Sequence, residues 1–230
     1  EYLQGETLAQ WLHRQEKPLN LDEILPILQQ TALALNAMHR LEMLHQDIRP
    51  KNIMVINAEN AMKIKLIDYG STAVRGLVEI NPKNANRALG TLAFMAPEYF
   101  IDHSPSVHSD QFSLAVMAYY LFTKQLPYGT DLARCNSLKQ MKKVQYHSIR
   151  KYRPDLPIWL DKILGQALSI EPIHRFEALS ELIHNLMHPS KELLNSKPPA
   201  IIERDPLRFW QMSCAVLGLL FLLSIAWPFI

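Results

Sequence analysis

The feature that most constrains this 230-residue chain is the stretch "LHQDIRPKNIMVI" at 44–56, where charged and amide side chains lead directly into an apolar run. Surface loops are often this polar, but few of them run so abruptly into residues that must be buried. Four side chains are therefore expected to lie together at the mouth of the core: His45, Asp47, Arg49 and Asn52. Any fold for this chain has to place acidic, basic and amide groups at that point.

The composition is that of a protein with a sizeable core. Hydrophobic residues make up 48% of the chain. The net charge is only +2, whereas a nucleic-acid partner usually requires a concentrated basic face, so none is expected. The two cysteines, Cys135 and Cys214, lie far apart and indicate neither a disulfide framework nor a metal cluster.

Periodicity predicts a mainly α fold with one small β-hairpin. Asn20 and Glu23 have the spacing of a capping box at the start of a long helix. Residues 53–56 and 63–67 are typical of the two strands of a hairpin, and residues 110–122 are apolar almost all round, which predicts a buried helix. Further helices are predicted near 6–16, 131–143, 156–168 and 175–187, with a long ordered loop over 69–98.

The C-terminal segment 212–230 carries no charge, and its 19 residues would span about 28 Å as a helix. The hydrocarbon core of a membrane is about 30 Å thick. The pattern predicts a transmembrane helix over 209–230 after a juxtamembrane linker, 189–208; the alternative is a buried helix or hydrophobic hairpin. Basic residues before the span predict a single-pass membrane protein with residues 1–208 in the cytoplasm.

The polar cluster fits the chemistry of phosphoryl transfer. That reaction needs a carboxylate to orient the attacking hydroxyl, oxygen ligands for Mg²⁺ and a cation that balances charge. Asp47 offers the carboxylate and Arg49 the cation, so these two are the candidate catalytic residues. Asn52 and Asp68, the latter at the end of the second hairpin strand, are the candidate Mg²⁺ ligands.

Four motifs in order resemble those of the Ser/Thr protein kinases: "HQDIRPKN" at 45–52, "DYG" at 68–70, "GTLAFMAPE" at 90–98 and "SDQFSLAVMAY" from 109. The resemblance runs from residue 1 to about 188. It implies the larger, mostly helical lobe of a kinase that transfers the γ-phosphate of ATP, with Mg²⁺, to Ser or Thr of protein substrates.

The resemblance also implies roles for residues outside the polar cluster. The backbone of Glu1 and Leu3 would bind the adenine edge, and Met54 would form the floor beneath the purine. Gly90 and Thr91 would belong to the loop that receives the substrate peptide. Four residues would be structural: His45 and Asp110, which hold the catalytic loop, and Glu98 and Arg175, which form a buried pair.

Two departures from the family pattern stand out. Gln46 replaces the arginine that grips a phosphate on the activation loop, and an amide cannot form a bidentate phosphate pair. This predicts activity that does not depend on phosphorylation of that loop. None of the seven glycines lies two residues from another, so the phosphate-covering G-x-G-x-x-G loop is missing. The small lobe is expected upstream, and residues 1–230 alone are expected to be inactive.

A narrower resemblance is to bacterial kinases that are fused, upstream, to a type 2C phosphatase domain, which would be a further partner in the same chain. Two other functions remain open at this stage. A pseudokinase or docking module at the membrane is favoured mildly by Gln46 and Tyr69, whereas the complete set of Asp47, Asn52 and Asp68 argues against it. A small-molecule phosphotransferase is disfavoured by the peptide-binding motif.

Overall fold

The computed structural model describes residues 3–58, 61–74, 92–101, 104–195 and 206–226. The chain divides into two compact units, Glu1–Leu194 and Asn195–Ile230. All of the predicted site residues belong to the first unit. The domain boundaries predicted at residues 188 and 208 stay predictions.

The described part of the first unit contains both helices and strands. Its helices are α1 (Leu8–His13), α2 (Leu21–Arg40), α3 (Val107–Thr123), α4 (Leu138–Met141), α5 (Ile158–Ala167), α6 (Leu179–Met187) and α7 (Lys191–Leu194). Its strands are β1 (Glu6–Thr7), β2 (Met43–Leu44), β3 (Ile53–Ala58), β4 (Ala61–Leu66) and β5 (Ala73–Val74).

Helix α2 begins where the sequence predicts. The Asn20 side chain accepts a hydrogen bond from the Glu23 N–H at 3.0 Å, and the Glu23 carboxylate accepts one from the Asn20 N–H at 2.8 Å. This reciprocal pairing satisfies backbone donors that the first helical turn leaves free. Ile24, Leu28 and Leu35 then fall on one buried face, which anchors the helix in the core.

Removing the cap of α2 is expected to weaken the fold. Asn20→Ala should lower the free energy of unfolding by about 1 kcal/mol, because the Glu23 N–H loses its acceptor. Urea denaturation measures the change. Gln29→Ala on the exposed surface of the same helix is the matched control and should stay close to wild type; an equal loss in both variants would show that the cap contributes nothing of its own.

The predicted hairpin is present, but it belongs to a larger sheet. Strands β3 and β4 pair antiparallel, and β1 adds a third strand on the other side of β3. Gly5 makes this possible, since a Cβ there would collide with the carbonyl oxygen of Val55. A second, two-stranded sheet joins β2 to β5. The prediction of a single hairpin is therefore wrong, because it omits three two-residue strands too short to produce a periodic signal.

Helix α3 confirms the prediction of a buried helix over 110–122. Phe112, Met117 and Tyr119 are among its fully buried side chains, and only its ends reach solvent. Ser106 caps it through the His108 N–H at 3.2 Å. This helix forms the centre of the core, so its N-terminal turn is a rigid base for the polar cluster.

The segments between the main helices are more broken than the periodicity indicates. The predicted helix over 131–143 is a 3-10 turn at Leu132–Arg134 followed by the single turn of α4. The predicted long loop contains 3-10 turns at Tyr69–Ser71 and Pro97–Phe100 as well as β5. Residues 75–91 of that loop lie outside the described residues.

The second unit contains helix α8, Pro206–Ala226. In the described part of the chain, no helix is both long and apolar enough to cross a membrane. The transmembrane helix predicted over 209–230 is therefore wrong, and so is the anchored fold class. Residues 227–230 of that predicted span lie outside the described residues.

Candidate functional site

Asp110, in the first turn of α3, holds the loop that contains the polar cluster. Its side chain is 1% exposed. Oδ2 accepts hydrogen bonds from the His45 N–H at 2.9 Å and from His39 Nε2 at 2.8 Å, and Oδ1 accepts one from the Gln46 N–H at 2.9 Å. Asp110 thus contacts the backbone of the loop that contains the polar cluster. His39, in the last turn of α2, was missed, because its contact is visible only once α2 and α3 pack together.

Gln46 has a left-handed backbone, with φ 64°, and is 5% exposed. This conformation is unfavourable for a residue with a Cβ, and the bonds that Asp110 accepts stabilise it. Its side-chain amide nitrogen has no hydrogen-bond partner among the described residues. The position therefore shapes the backbone of the loop rather than supplying a charge.

Asp47 and Asn52 are locked together. The Asn52 side-chain nitrogen donates to Asp47 Oδ2 at 2.7 Å and to the Asp47 carbonyl at 2.9 Å. Both partners are acceptors, so the NH₂ group must face Asp47 and the amide oxygen must point elsewhere. The carboxylate of Asp47 is held in one orientation, while an uncharged oxygen of Asn52 is left for another ligand.

Arg49 lies beside the same carboxylate. Its Nε is 3.5 Å from Asp47 Oδ1, and the two side chains are 21% and 10% exposed. The separation is that of an ion pair rather than of a short hydrogen bond. A cation in this place balances negative charge near Asp47 without fixing the carboxylate as firmly as Asn52 does.

His45 is fully buried behind the loop. Burial lowers the pKa of its imidazole below the ordinary value of 6.5, although the nearby carboxylates of Asp110, Asp47 and Asp68 act in the opposite direction. The ring is therefore neutral at pH 7, and its Nδ1 accepts a long hydrogen bond, 3.4 Å, from the Asp47 N–H. This geometry suits a residue that supports the backbone of Asp47.

The lowered pKa of His45 predicts a pH dependence of stability. The unfolded imidazole takes up a proton near pH 6.5, whereas the folded one resists protonation until lower pH, so the free energy of unfolding falls as the pH drops below that value. Comparing urea denaturation at about pH 7.5 and 5.5, His45→Gln should lose part of this dependence. The exposed His13→Gln should keep all of it, and equal pH slopes in wild type and His45→Gln would contradict the assignment.

Asp68 follows β4 and approaches the cluster from a second element. Its backbone is left-handed, with φ 65°, and its Oδ1 accepts the Gly70 N–H at 3.3 Å. The preceding Ile67 N–H bonds the Asn52 carbonyl at 2.9 Å, which ties the end of β4 to the loop. Residue 68 therefore follows directly on a segment that is hydrogen-bonded to the loop of Asp47 and Asn52.

The donor set fits Mg²⁺ held largely by a nucleotide. Asn52 has an amide oxygen facing away from Asp47, and Asp68 has a carboxylate that is only partly used by Gly70. The described residues contain no group of three or more His, Cys, Asp or Glu side chains placed to hold a metal ion. Mg²⁺ commonly takes one or two protein ligands together with phosphates and water, so this pair is sufficient.

The predicted nucleotide and peptide contacts are described only in part. Met54 lies on β3 opposite Thr7 of β1, on the sheet face away from the core, and is half-buried. Leu3 is half-buried just before β1. Glu1, Gly90 and Thr91 lie outside the described residues.

Glu98 and Arg175 form a buried ion pair, with 4% and 0% of their side chains exposed. Arg175 Nη1 and Nη2 donate to the two oxygens of Glu98 at 2.9 and 2.8 Å. The other three N–H groups donate to the carbonyls of Ser169, His108 and Ile170 at 2.9, 2.8 and 3.2 Å. Every donor of the guanidinium is satisfied, so the pair joins three segments of the unit.

The surroundings keep Glu98 ionised. Burial alone would raise the pKa of its carboxyl, but the hydrogen bonds and charge of Arg175 outweigh burial and lower it below the ordinary value. The Ser109 hydroxyl adds a donor at 2.6 Å. Ser109 was missed in the sequence, where it reads only as the residue before Asp110.

Comparison with known proteins identifies the family. A model of the protein kinase domain matches residues 1–189. The chain belongs to the protein kinase domain family. The described residues hold no helix able to span a membrane, so the predicted fold class, a larger lobe followed by a membrane anchor, is wrong.

Similar kinases come from several bacteria. Serine/threonine-protein kinase PrkC of Bacillus subtilis is 26% identical over 182 residues, which are 79% of this chain and 27% of PrkC. Serine/threonine-protein kinase pkn3 of Myxococcus xanthus is 31% identical over 180 residues, 76% of this chain and 32% of that protein. The chain thus spans about a third or less of the length of these relatives.

Among solved structures, the kinase domain of PknI from Mycobacterium tuberculosis is similar, with a TM-score of 0.61 and 25% sequence identity. The likeness covers 81% of this chain and 63% of that one. The architecture of a bacterial kinase domain is therefore shared, although most of the sequence differs.

Proposed function

We propose that this kinase domain takes part in transfer of the γ-phosphate of ATP to Ser or Thr of protein substrates. The observation that carries the proposal is the pair of hydrogen bonds by which Asn52 fixes Asp47, at 2.7 and 2.9 Å. The names of the similar bacterial proteins, all of them serine/threonine-protein kinases, support the choice of reaction.

Each residue of the loop has a role in this proposal. Asp47 orients the substrate hydroxyl and accepts its proton, because its carboxylate is held in one orientation and remains partly exposed. Arg49 balances negative charge beside it. Asn52 and Asp68 would hold Mg²⁺, which neutralises charge on the phosphates when it is bound.

The remaining assignments stay predictions. Glu1, Leu3 and Met54 would contact the adenine, while Gly90 and Thr91 would favour Ser or Thr in the substrate. The glycine-rich loop and strand lysine would come from a small lobe upstream in the same chain, where the implied phosphatase domain would also lie. The location of residues 1–208 in the cytoplasm is likewise a prediction.

We expect the reaction to proceed without prior phosphorylation of the kinase. A phosphate acts through new charge-assisted hydrogen bonds, usually to arginine, and Gln46 lacks that charge. Treating the full-length protein with a phosphatase that is then removed should change the transfer rate by less than about twofold. A large gain in rate on phosphorylation of Ser71 or Thr72 would contradict this expectation.

Transfer itself is tested with the full-length protein, Mg-ATP and a protein substrate presented in Ser, Thr and Tyr versions. Phosphate is expected on Ser and Thr and not on Tyr, and chelation of divalent metal should stop the reaction. If ATP binds but no version is phosphorylated, the proposal fails. A docking module that uses the same fold, which the uncharged Gln46 mildly favours, would then take its place.

A further inference from the structure

The charge balance around Asp47 carries an inference about which substrates fit. Arg49 forms an ion pair with Asp47, with its Nε 3.5 Å from Asp47 Oδ1. Lys51 is exposed, and it has no ion pair or hydrogen bond with any other part of the described chain. It is therefore a cation that remains available to a bound peptide.

Lys51 is held close to the reacting carboxylate by its backbone. It is the middle residue of the 3-10 turn Pro50–Asn52, closed by a hydrogen bond from the Asn52 N–H to the Arg49 carbonyl at 2.9 Å. Adjacent Cα atoms are about 3.8 Å apart, and Lys51 directly precedes Asn52, whose side chain donates hydrogen bonds to Asp47. From that position its long, flexible side chain has the length to reach residues that flank a Ser or Thr hydroxyl placed at Asp47.

The neighbouring acidic group does not cancel this charge. Helix α1 and strand β1 pack against the Pro50–Asn52 turn, and β1 carries Glu6. The carboxylate of Glu6 is already in contact with the guanidinium of Arg14. The surface formed by these elements thus has its acidic side chain paired within the chain and its lysine free.

We infer that Lys51 is a specificity-determining residue that makes this site prefer Asp or Glu beside the phosphorylated Ser or Thr. The inference rests on the proposed transfer reaction and names its class of substrate, an acidic protein segment. An exposed ion pair contributes modestly, so the preference for acidic over basic neighbours should be about three- to fivefold in kcat/KM. Added salt should weaken it.

The test uses the full-length protein and Ser or Thr peptides that differ at one position, carrying Asp, Gln or Lys within three residues of the acceptor. Wild type should favour the Asp peptides, Lys51→Gln should lose the preference, and Lys51→Glu should reverse it. Lys139→Glu is the matched control, because Lys139 is also exposed but lies on α4, outside the loop. It should keep the wild-type preference.

Rates on the neutral Gln peptides separate the two claims. The inference about Lys51 is wrong if the Lys51 variants phosphorylate the Gln peptides at about the wild-type rate while Lys51→Glu still prefers the Asp peptides. It is also wrong if wild type prefers the Lys peptides. In both cases the proposed transfer reaction stands. If wild type phosphorylates none of the peptides and no protein substrate, the proposed function is wrong, and so is the inferred preference for acidic substrates.

Discussion

Asp47→Asn is expected to lower the rate of phosphate transfer by about a hundred- to ten-thousandfold, the range for losing a positioned general base. An amide cannot accept the proton of the substrate hydroxyl. The geometry should survive, because the amide oxygen of an asparagine can still accept from Asn52, and the bond to the carbonyl of residue 47 is unchanged. Affinity for ATP and the free energy of unfolding should therefore stay close to wild type.

The measurement compares initial rates of the full-length proteins on one Ser or Thr substrate, with ATP binding followed separately. Asp131→Asn makes the same chemical change at an exposed position and should transfer phosphate at the wild-type rate. Equal, measurable rates in wild type and Asp47→Asn would remove Asp47 from the reaction. If neither protein transfers phosphate although both bind ATP, the result would instead support a binding role for the domain.

The sequence was most informative where function and folding demand the same residues. The spacing of Asp47 and Asn52 predicted a shared site, and the structure joins them by two hydrogen bonds. The Asn20 capping box and the buried helix α3 were likewise predicted, because each depends on residues that are close in sequence.

The contacts that the sequence did not predict depend on packing between distant segments. His39 meets Asp110 across 71 positions of sequence, and no local pattern marks it. Strand β1 forms only because Gly5 allows its backbone to approach Val55. The apolar C-terminal run was misinterpreted as a membrane span, because the described residues contain no helix both long and apolar enough to cross a membrane.

The left-handed residues show a related limit. Gln46 and Asp68 both have positive φ, although neither is glycine. Both flank the proposed site. The Gln46 N–H donates a hydrogen bond to Asp110, and the Asp68 side chain accepts one from the Gly70 N–H, which stabilises both conformations locally. Residues other than glycine rarely adopt positive φ, so a sequence pattern does not predict these conformations. Backbone strain of this kind is common at active sites and ligand-binding sites.

Breaking the Glu98–Arg175 pair is expected to have the largest effect on stability. Arg175→Met should lower the free energy of unfolding by about 3–5 kcal/mol, because it leaves the carboxylate of Glu98 buried without its cation, although the Ser109 hydroxyl still donates to it. It also frees the carbonyls of Ser169, His108 and Ile170 from their common donor. The methionine keeps much of the apolar contact with Phe112, whose ring centroid lies 4.8 Å from the guanidinium carbon.

Urea denaturation of four proteins separates the pair from general loss of packing: wild type, Glu98→Gln, Arg175→Met and the double variant. Because an unpaired buried charge is the main penalty, the double variant should be less destabilised than the sum of the single variants. Arg134→Met, at an exposed position, should remain within about 0.5 kcal/mol of wild type. Strict additivity would mean that Glu98 and Arg175 stabilise the domain independently, and the ion pair would then not be what joins the Pro97–Phe100 turn to the rest of the unit.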